Sequence, residues 1–271
     1  MAPDTKHTLT PTELEWCKSL RQALKESPSD DASKAVSSDF MLAQFALIGK
    51  GDNKKSLKRI ASYNKVIAGE YGYDMAKCMS SIGFLNRIMP GTMEPCARPA
   101  PDADGCVYPT FAFDIVSYNP SLLKGEEQFR EVVLECCLMM DAMCADLDDV
   151  RNGAVYLQQC KGLSMRHFNA EMEKRFAVLY QDAYPLRFHR MWMVNAGPII
   201  NVILTICKLF LKKKLAERIK VVPQDKLTSE FGYTSGSLPP CLGGTFTGKY
   251  EAQVKEALDR RAESVAKVSI A

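Results

Sequence analysis

The segment from Tyr184 to Gly244 limits the fold more than any other part of this sequence. It opens with Tyr184-Pro185-Leu186-Arg187 and a short apolar run, Met191-Trp192-Met193-Val194-Asn195. Pro198 follows, then an apolar stretch from Ile199 to Leu211 that stops at Lys212-Lys213-Lys214. Arg218-Ile219 and, further on, Leu238-Pro239-Pro240-Cys241-Leu242-Gly243-Gly244 complete it. In physical terms this is a buried strand, a greasy helix, a basic collar and a tight glycine turn. The helix is apolar nearly all round, so both of its faces need shelter from water. The lysines stand where a helix leaves apolar surroundings near anionic headgroups. Such a segment suits a chain that hides an apolar molecule and opens at a membrane surface.

A membrane span needs about 20 predominantly apolar residues. Here Val194 to Leu211 is interrupted by Asn195, Gly197, Pro198, Asn201, Thr205 and Lys208, so it reads as a buried or interfacial helix. Charge is unevenly spread. From Arg187 to Lys220 eight basic residues stand against Glu217 alone, whereas from Glu126 to Asp149 eight acids stand against Arg130. One face should therefore attract anionic surfaces and another repel them. The ten cysteines include no Cys-x-x-Cys pair, which gives no support to zinc or thioredoxin-type sites. The start, Met1-Ala2-Pro3-Asp4, has neither the basic nor the apolar region of a secretory signal. Free thiols in a reducing, cytoplasmic compartment are expected.

Thr10-Pro11-Thr12-Glu13 is a capping box with proline at the first helical position, predicting a helix to about Lys25. Ser27 to Ser38 reads as a polar linker. Helices are expected at Asp39–Ile48, from Asp52 onward, and at Asp74–Ile88, followed by a proline-rich loop from Pro90 to Pro109. Strands and helices then alternate, which predicts an α/β sheet. The strands fall at Thr110–Val116, Ala154–Cys160, Phe188–Val194 and Arg218–Val222. The helices fall at Glu126–Ala145, Ser164–Ala183, Pro198–Lys214 and Tyr250–Ala266. The last is amphipathic and charged, and should pack back on the surface. Residues 1–89 thus form a helical N-terminal module, 90–248 the main domain and 249–271 a C-terminal helix.

No catalytic motif survives inspection. Gly243-x-x-x-x-Gly248-Lys249 lacks the serine or threonine of a phosphate loop, because Tyr250 stands there. Gly232-Tyr233-Thr234-Ser235-Gly236 does not centre its serine between glycines. His7, His167 and His189 are scattered, and read as structural. Asp141, Asp146, Asp148 and Asp149 lack calcium-loop spacing, and read as a solvated helix end.

The order Pro-x-Arg, apolar strand, Asn, apolar helix, short strand and Leu-Pro-x-x-x-Gly-Gly resembles the CRAL-TRIO lipid-binding family, especially its tocopherol-transfer and retinaldehyde-binding branch. Upstream, Asp39-Phe40-Met41-Leu42…Phe45-Ala46 with Asp52…Leu57 resembles the family's N-terminal helices. Arg151-Asn152-Gly153-Ala154-Val155-Tyr156-Leu157 before Gly162-Leu163-Ser164 resembles its central strand. The likeness runs from about residue 38 to 246. It implies a CRAL-TRIO-like α/β fold: a mixed sheet flanked by helices that encloses an apolar cavity, with a small all-helical N-terminal module. The apolar helix would be a mobile lid.

The implied cavity walls are Phe113, Ala154, Tyr156, Phe176, Leu179, Tyr180, Leu186, Met191 and Met193, with Ile199, Ile203 and Phe210 from the lid. Phe176, Leu179 and Tyr180 would share one helical face. Arg187, His189, Lys214 and Arg218 match the branch's phosphoinositide-contacting positions, and Arg190, Lys212 and Lys213 extend that basic surface. The implied cargo is an isoprenoid, retinoid, sterol-like molecule or phospholipid. The implied partner is an anionic membrane surface met peripherally from the cytoplasm. No enzyme chemistry, metal, cofactor or nucleic acid is expected. The rival function is a membrane-associated regulatory scaffold that shuttles nothing.

The chain departs from the family pattern at several places. Leu186 replaces the glutamate of the phosphatidylinositol-transfer branch, and a leucine accepts no hydrogen bond from inositol hydroxyls. His189 replaces a permanent charge. Leu209 stands where the lid usually has proline, and Cys241 where an acid is frequent. Gln158-Gln159 end the central strand in place of apolar-Asp. Gln158 either faces the cavity and fixes a polar ligand group, or is a polar strand end.

Overall fold

The structure, a computed structural model, describes residues 5–26, 36–102 and 104–270. Of the linker expected at Ser27–Ser38, residues 27–35 lie outside the described residues, as do Met1–Asp4. Thr10 and Glu13 form the capping box that their spacing requires. The Thr10 hydroxyl oxygen accepts the Glu13 N–H at 3.3 Å and the Glu13 carboxylate accepts the Thr10 N–H at 2.8 Å, starting the helix Pro11–Lys25. Ser38 and Asp52 likewise cap helices Asp39–Gly49 and Asn53–Ser62.

The helix expected at Asp74–Ile88 is not continuous. The Asn53–Ser62 helix runs on as a π-helical stretch, Tyr63–Glu70, and beyond it come a 3-10 turn, Met79–Ser81, and a short helix, Phe84–Ile88. The cause is buried Glu135, whose carboxylate accepts the Gly83 and Leu85 N–H groups at 2.8 Å each. Those donors are thereby lost to any helix crossing Gly83, which takes φ 76.

Strands β1 (Met93–Glu94), β2 (Thr110–Asp114), β3 (Ala154–Gln159), β4 (Phe188–Val194) and β5 (Ile219–Val222) lie in that order across one sheet. The β1 strand is antiparallel to β2, and the remaining pairs are parallel. Consecutive parallel neighbours joined by crossovers of one hand place every crossover helix on the same face. The sheet accordingly has two sides. Ala112, Val155, Leu157, Trp192, Val194 and Val222 pack under Leu227, Tyr233, Leu238 and Leu242. Phe111, Ala154, Phe188 and Met193 join the larger core beneath the helices.

A register shift at Ala154/Val155 sets which β4 side chains face the helices, since Ala154 pairs with Phe188 but Val155 pairs with Arg190. This bulge takes up one residue, so Phe188, Met191 and Met193 share a face and Arg190 turns to the other. There Arg190 lies over the rings of Trp192 and Phe231, 5.2 and 5.8 Å from their centroids.

Two expectations about charge are corrected. The acidic run is not a solvated helix end: Asp141, Asp146 and Asp149 are buried. Asp146 caps a helix, Leu147–Asn152, by accepting the Asp149 N–H at 2.9 Å, and Asp149 pairs with Arg98 at 2.6 Å. The helix expected as far as Ala145 therefore ends at Ala142, and Arg151-Asn152 close a second helix instead of opening the strand. The C-terminal helix, Tyr250–Lys267, does not merely lie on the surface, because its Arg261 is buried against Asp141 at 2.7 Å.

The glycine closure is steric. Gly243 adopts φ 77 after the 3-10 turn Pro240–Leu242, and a Cβ on Gly244 would run into the Leu238 carbonyl, which already accepts the Phe246 N–H at 2.9 Å. Gly244→Ala should cost about 1–3 kcal/mol, the range for overpacking, read as a lower denaturant midpoint. An unchanged midpoint would show that this turn gives way freely.

Candidate functional site: a lidded apolar cavity

Between the sheet and the crossover helices lies a cavity of about 160 Å³. Its floor is the helix-facing side of β2, β3 and β4, with Phe111, Phe113, Tyr156, Gln158, Met191 and Met193. Phe176, Ala177 and Tyr180 form one wall. Ile203, Leu204, Cys207 and Phe210 cover it from the helix Ile199–Cys207 and the turn after it. Its lining is mostly apolar with a few polar groups, the composition of small-molecule sites. Among the described residues no helix is long and apolar enough to cross a membrane, and no cluster of metal-ligating side chains is present.

Eight of the residues read from the sequence meet at this cavity: Phe113, Tyr156, Phe176, Tyr180, Met191, Met193, Ile203 and Phe210. Ala154, Leu179, Leu186 and Ile199 do not line it. Leu179 begins a π-helical turn, Leu179–Ala183, in which the Tyr184 N–H reaches the Leu179 carbonyl at 2.9 Å. That wider turn breaks the expected helix Ser164–Ala183, of which only Ala170–Val178 is α-helical, and Leu179 faces the protein core. Leu186 is likewise core, beside a Pro185 carbonyl that accepts the Gln44 amide at 3.0 Å. Ala154 sits at the closed end of β3 opposite Phe188, and Ile199 lies half-buried at the start of the lid. The inference about inositol headgroups drawn from Leu186 thus has no footing in the cavity. Gln158 does face it.

The lid is shorter than expected and is not sheltered on both sides. Ile200, Ile203 and Cys207 point inward at helical spacing, but Val202 is 51% and Leu209 85% exposed. The chain enters it through Asn195, at φ 55, whose amide exchanges hydrogen bonds with Gln224 at 2.7 and 3.2 Å. It leaves at Cys207 because Gln181 substitutes for helical partners. The Gln181 amide donates to the Phe210 carbonyl at 3.0 Å and accepts the Lys212 N–H at 2.8 Å.

The basic residues separate into groups. Arg187, Lys214 and Arg218 converge. Burial and the neighbouring charges of Arg218, Lys50, Arg187 and Lys55 hold the Lys214 pKa down, while burial and Arg187 lower that of Arg218. Lys50 and Lys55 come from the helical module and were not anticipated, although the run Lys50…Lys54-Lys55…Lys58 signalled them. Arg187 donates to the Asn152 carbonyl at 2.7 Å and Arg218 to that of Phe188. His189 stacks on Tyr108, centroids 4.2 Å apart. Burial, Arg190, Arg187 and Arg218 push its pKa below the usual range, so it is neutral at pH 7. Lys212, Lys213 and Lys214 are all exposed, and Lys212 pairs with Asp182.

Sequence reasoning also missed polar groups in the cavity. Glu173 and His167 line it along with Phe111, Ile115, Tyr118 and Phe188. Glu173, Phe176, Ala177 and Tyr180 fall at spacing 0, 3, 4 and 7, so the helical period placed the acid on the apolar face.

A five-stranded, mainly parallel sheet with helices packed over an apolar pocket defines the class, an α/β fold. The chain belongs to the CRAL/TRIO family, whose domain it matches over residues 99–244. It is similar to the human Alpha-tocopherol transfer protein-like, at 33% identity over 246 residues, 83% of this chain and 67% of that protein. The Pongo abelii protein of the same name matches equally. Human Tyrosine-protein phosphatase non-receptor type 9 is 27% identical over 131 residues, 48% of this chain but only 22% of the phosphatase. In fold, the crystal structure of Sfh5 superposes with a TM-score of 0.53 at 12% identity, covering 97% of this chain and 99% of that one.

Proposed function

We propose that this protein holds a hydrophobic small molecule or lipid in the cavity beneath the Ile199–Cys207 helix and transfers it between membranes. Membership of the CRAL/TRIO family supports a lipid-binding role. The observation that carries the reading is the lid segment, which turns Ile200, Ile203 and Cys207 toward the cavity while Val202 on the helix and Leu209 in the turn after it stand exposed among Asn201, Thr205 and Lys208. Exposed apolar side chains beside lysines suit a segment that lies in a membrane interface. Arg187, Lys214 and Arg218 then meet anionic or phosphoinositide headgroups, with Lys213 beside them. His189, being neutral, adds no charge. The protein acts from the cytoplasm, peripherally and without chemistry of its own.

Two measurements test this. Native mass spectrometry of protein from its own cells should find near-unit amounts of one lipid class; an empty protein would favour the scaffold reading. Replacing Arg187, Lys214 and Arg218 with alanine should weaken binding to phosphoinositide-containing vesicles by about 1 kcal/mol per charge. Lys212→Ala should matter less, since Asp182 already neutralises that lysine. Equal losses on neutral vesicles would sink the electrostatic account.

A further inference from the structure

We infer that Glu173 is the polar contact of the cavity, donating a hydrogen bond from its neutral carboxyl to a hydroxyl or carbonyl oxygen on an otherwise apolar cargo. The inference rests on the cargo reading above. Glu173 lines the cavity, no lysine or arginine does, and its carboxyl has no hydrogen-bond or ion-pair partner among the described residues. Glu173 is half-buried, and a partly desolvated carboxyl without a partner carries a cost that a ligand oxygen would reduce.

The groups facing Glu173 offer it little. Tyr118 approaches from the loop after β2 and Tyr180 from the turn that continues its own helix, but their hydroxyls reach only sulfur, Met172 at 3.9 Å and Cys136 at 3.8 Å. Tyr156 comes from β3, Cys136 from the Gly125–Ala142 helix and Cys207 from the lid, and burial keeps all three protonated. Gln158 on β3 supplies a neutral amide. His167 lines the same cavity, but its ring nitrogens are engaged by Ser164 and Arg166. Among the described residues no lysine or arginine lines the cavity to hold Glu173 ionised, and desolvation pushes its pKa up to about 7. The acid form prevails at pH 6 and the anion at pH 8. If only the acid form accepts cargo, affinity falls about tenfold across that interval.

The experiment is equilibrium dialysis of the full chain, stripped of lipid, against labelled farnesene, farnesol and farnesylamine at pH 6 and pH 8. Glu173→Gln and Glu173→Leu are measured alongside, with melting curves to confirm folding. Farnesol should bind more tightly than farnesene at pH 6 and lose about tenfold by pH 8. Glu173→Gln, which cannot ionise, should flatten that dependence, and Glu173→Leu should bring farnesol down to the level of farnesene. Equal binding of farnesol and farnesene by the unmodified protein would overturn the inference while leaving the cargo reading intact. So would farnesol binding that ignores pH, or a preference for farnesylamine growing toward pH 8, which would mean that the anion recognises an ammonium group. If none of the three binds, the cargo reading falls as well.

Discussion

Arg261→Ala should destabilise the protein by about 3–5 kcal/mol, the range for removing one partner of a buried ion pair. Arg261 and Asp141 are 6% and 4% exposed and lie 2.7 Å apart. The guanidinium also donates to the Cys144 carbonyl at 2.7 Å and to the Gln44 side chain at 3.0 Å. The Asp141 carboxylate accepts from the hydroxyls of Tyr73 and Tyr184, so the network joins the N-terminal helices, the domain core and the C-terminal helix. Alanine would leave Asp141 without its cation and two further acceptors without this donor. Chemical denaturation followed by far-ultraviolet dichroism reads the loss. A change below about 1 kcal/mol would show that the Tyr73 and Tyr184 hydroxyls alone satisfy the carboxylate. Because all three parts share the network, unfolding should remain one transition whose midpoint moves.

Ala177→Trp and Leu179→Trp should behave oppositely although they are two residues apart. Ala177 lines the cavity, so an indole there extends into empty space and takes the place of cargo. Lipid binding should be abolished while the melting temperature scarcely moves. Leu179 is fully buried in the core, where added bulk must displace its neighbours. Its replacement should cost about 1–3 kcal/mol with no direct block of the cavity. Lipid content by mass spectrometry and a melting curve on each variant separate the two. A stable, lipid-free Leu179→Trp beside a lipid-laden Ala177→Trp would reverse the placement of cavity and core.

Elements whose partners lie nearby in the chain were legible without a structure. The Thr10 capping box and the Asp52 cap satisfy N–H groups three residues away, so their sequence carries the whole instruction. The apolar runs of β2, β3 and β4 and the Pro–Gly punctuation fixed the class of fold. The ordered motifs from Asp39 to Gly244 pointed to the family to which the chain belongs. Helical spacing alone also held the clue to Glu173, since three apolar cavity residues share its face.

What remained illegible depended on groups far apart in sequence. Glu135 captures two N–H groups about fifty residues upstream and breaks a helix that local propensity favours. Gln181 ends the lid by bonding residues about thirty positions away. The π-helical turn at Leu179–Ala183 and the bulge opposite Ala154 each alter a period by one residue, and so decided which side chains face the cavity. Sequence by itself determined strands β2 to β5, the capped N-terminal helices and the family they build, because period and capping act within a few residues. Only the tertiary structure decided that Leu186 is core, that Arg261 is buried and that Glu173 stands without a partner, because burial and charge pairing are set by neighbours that the chain brings together on folding.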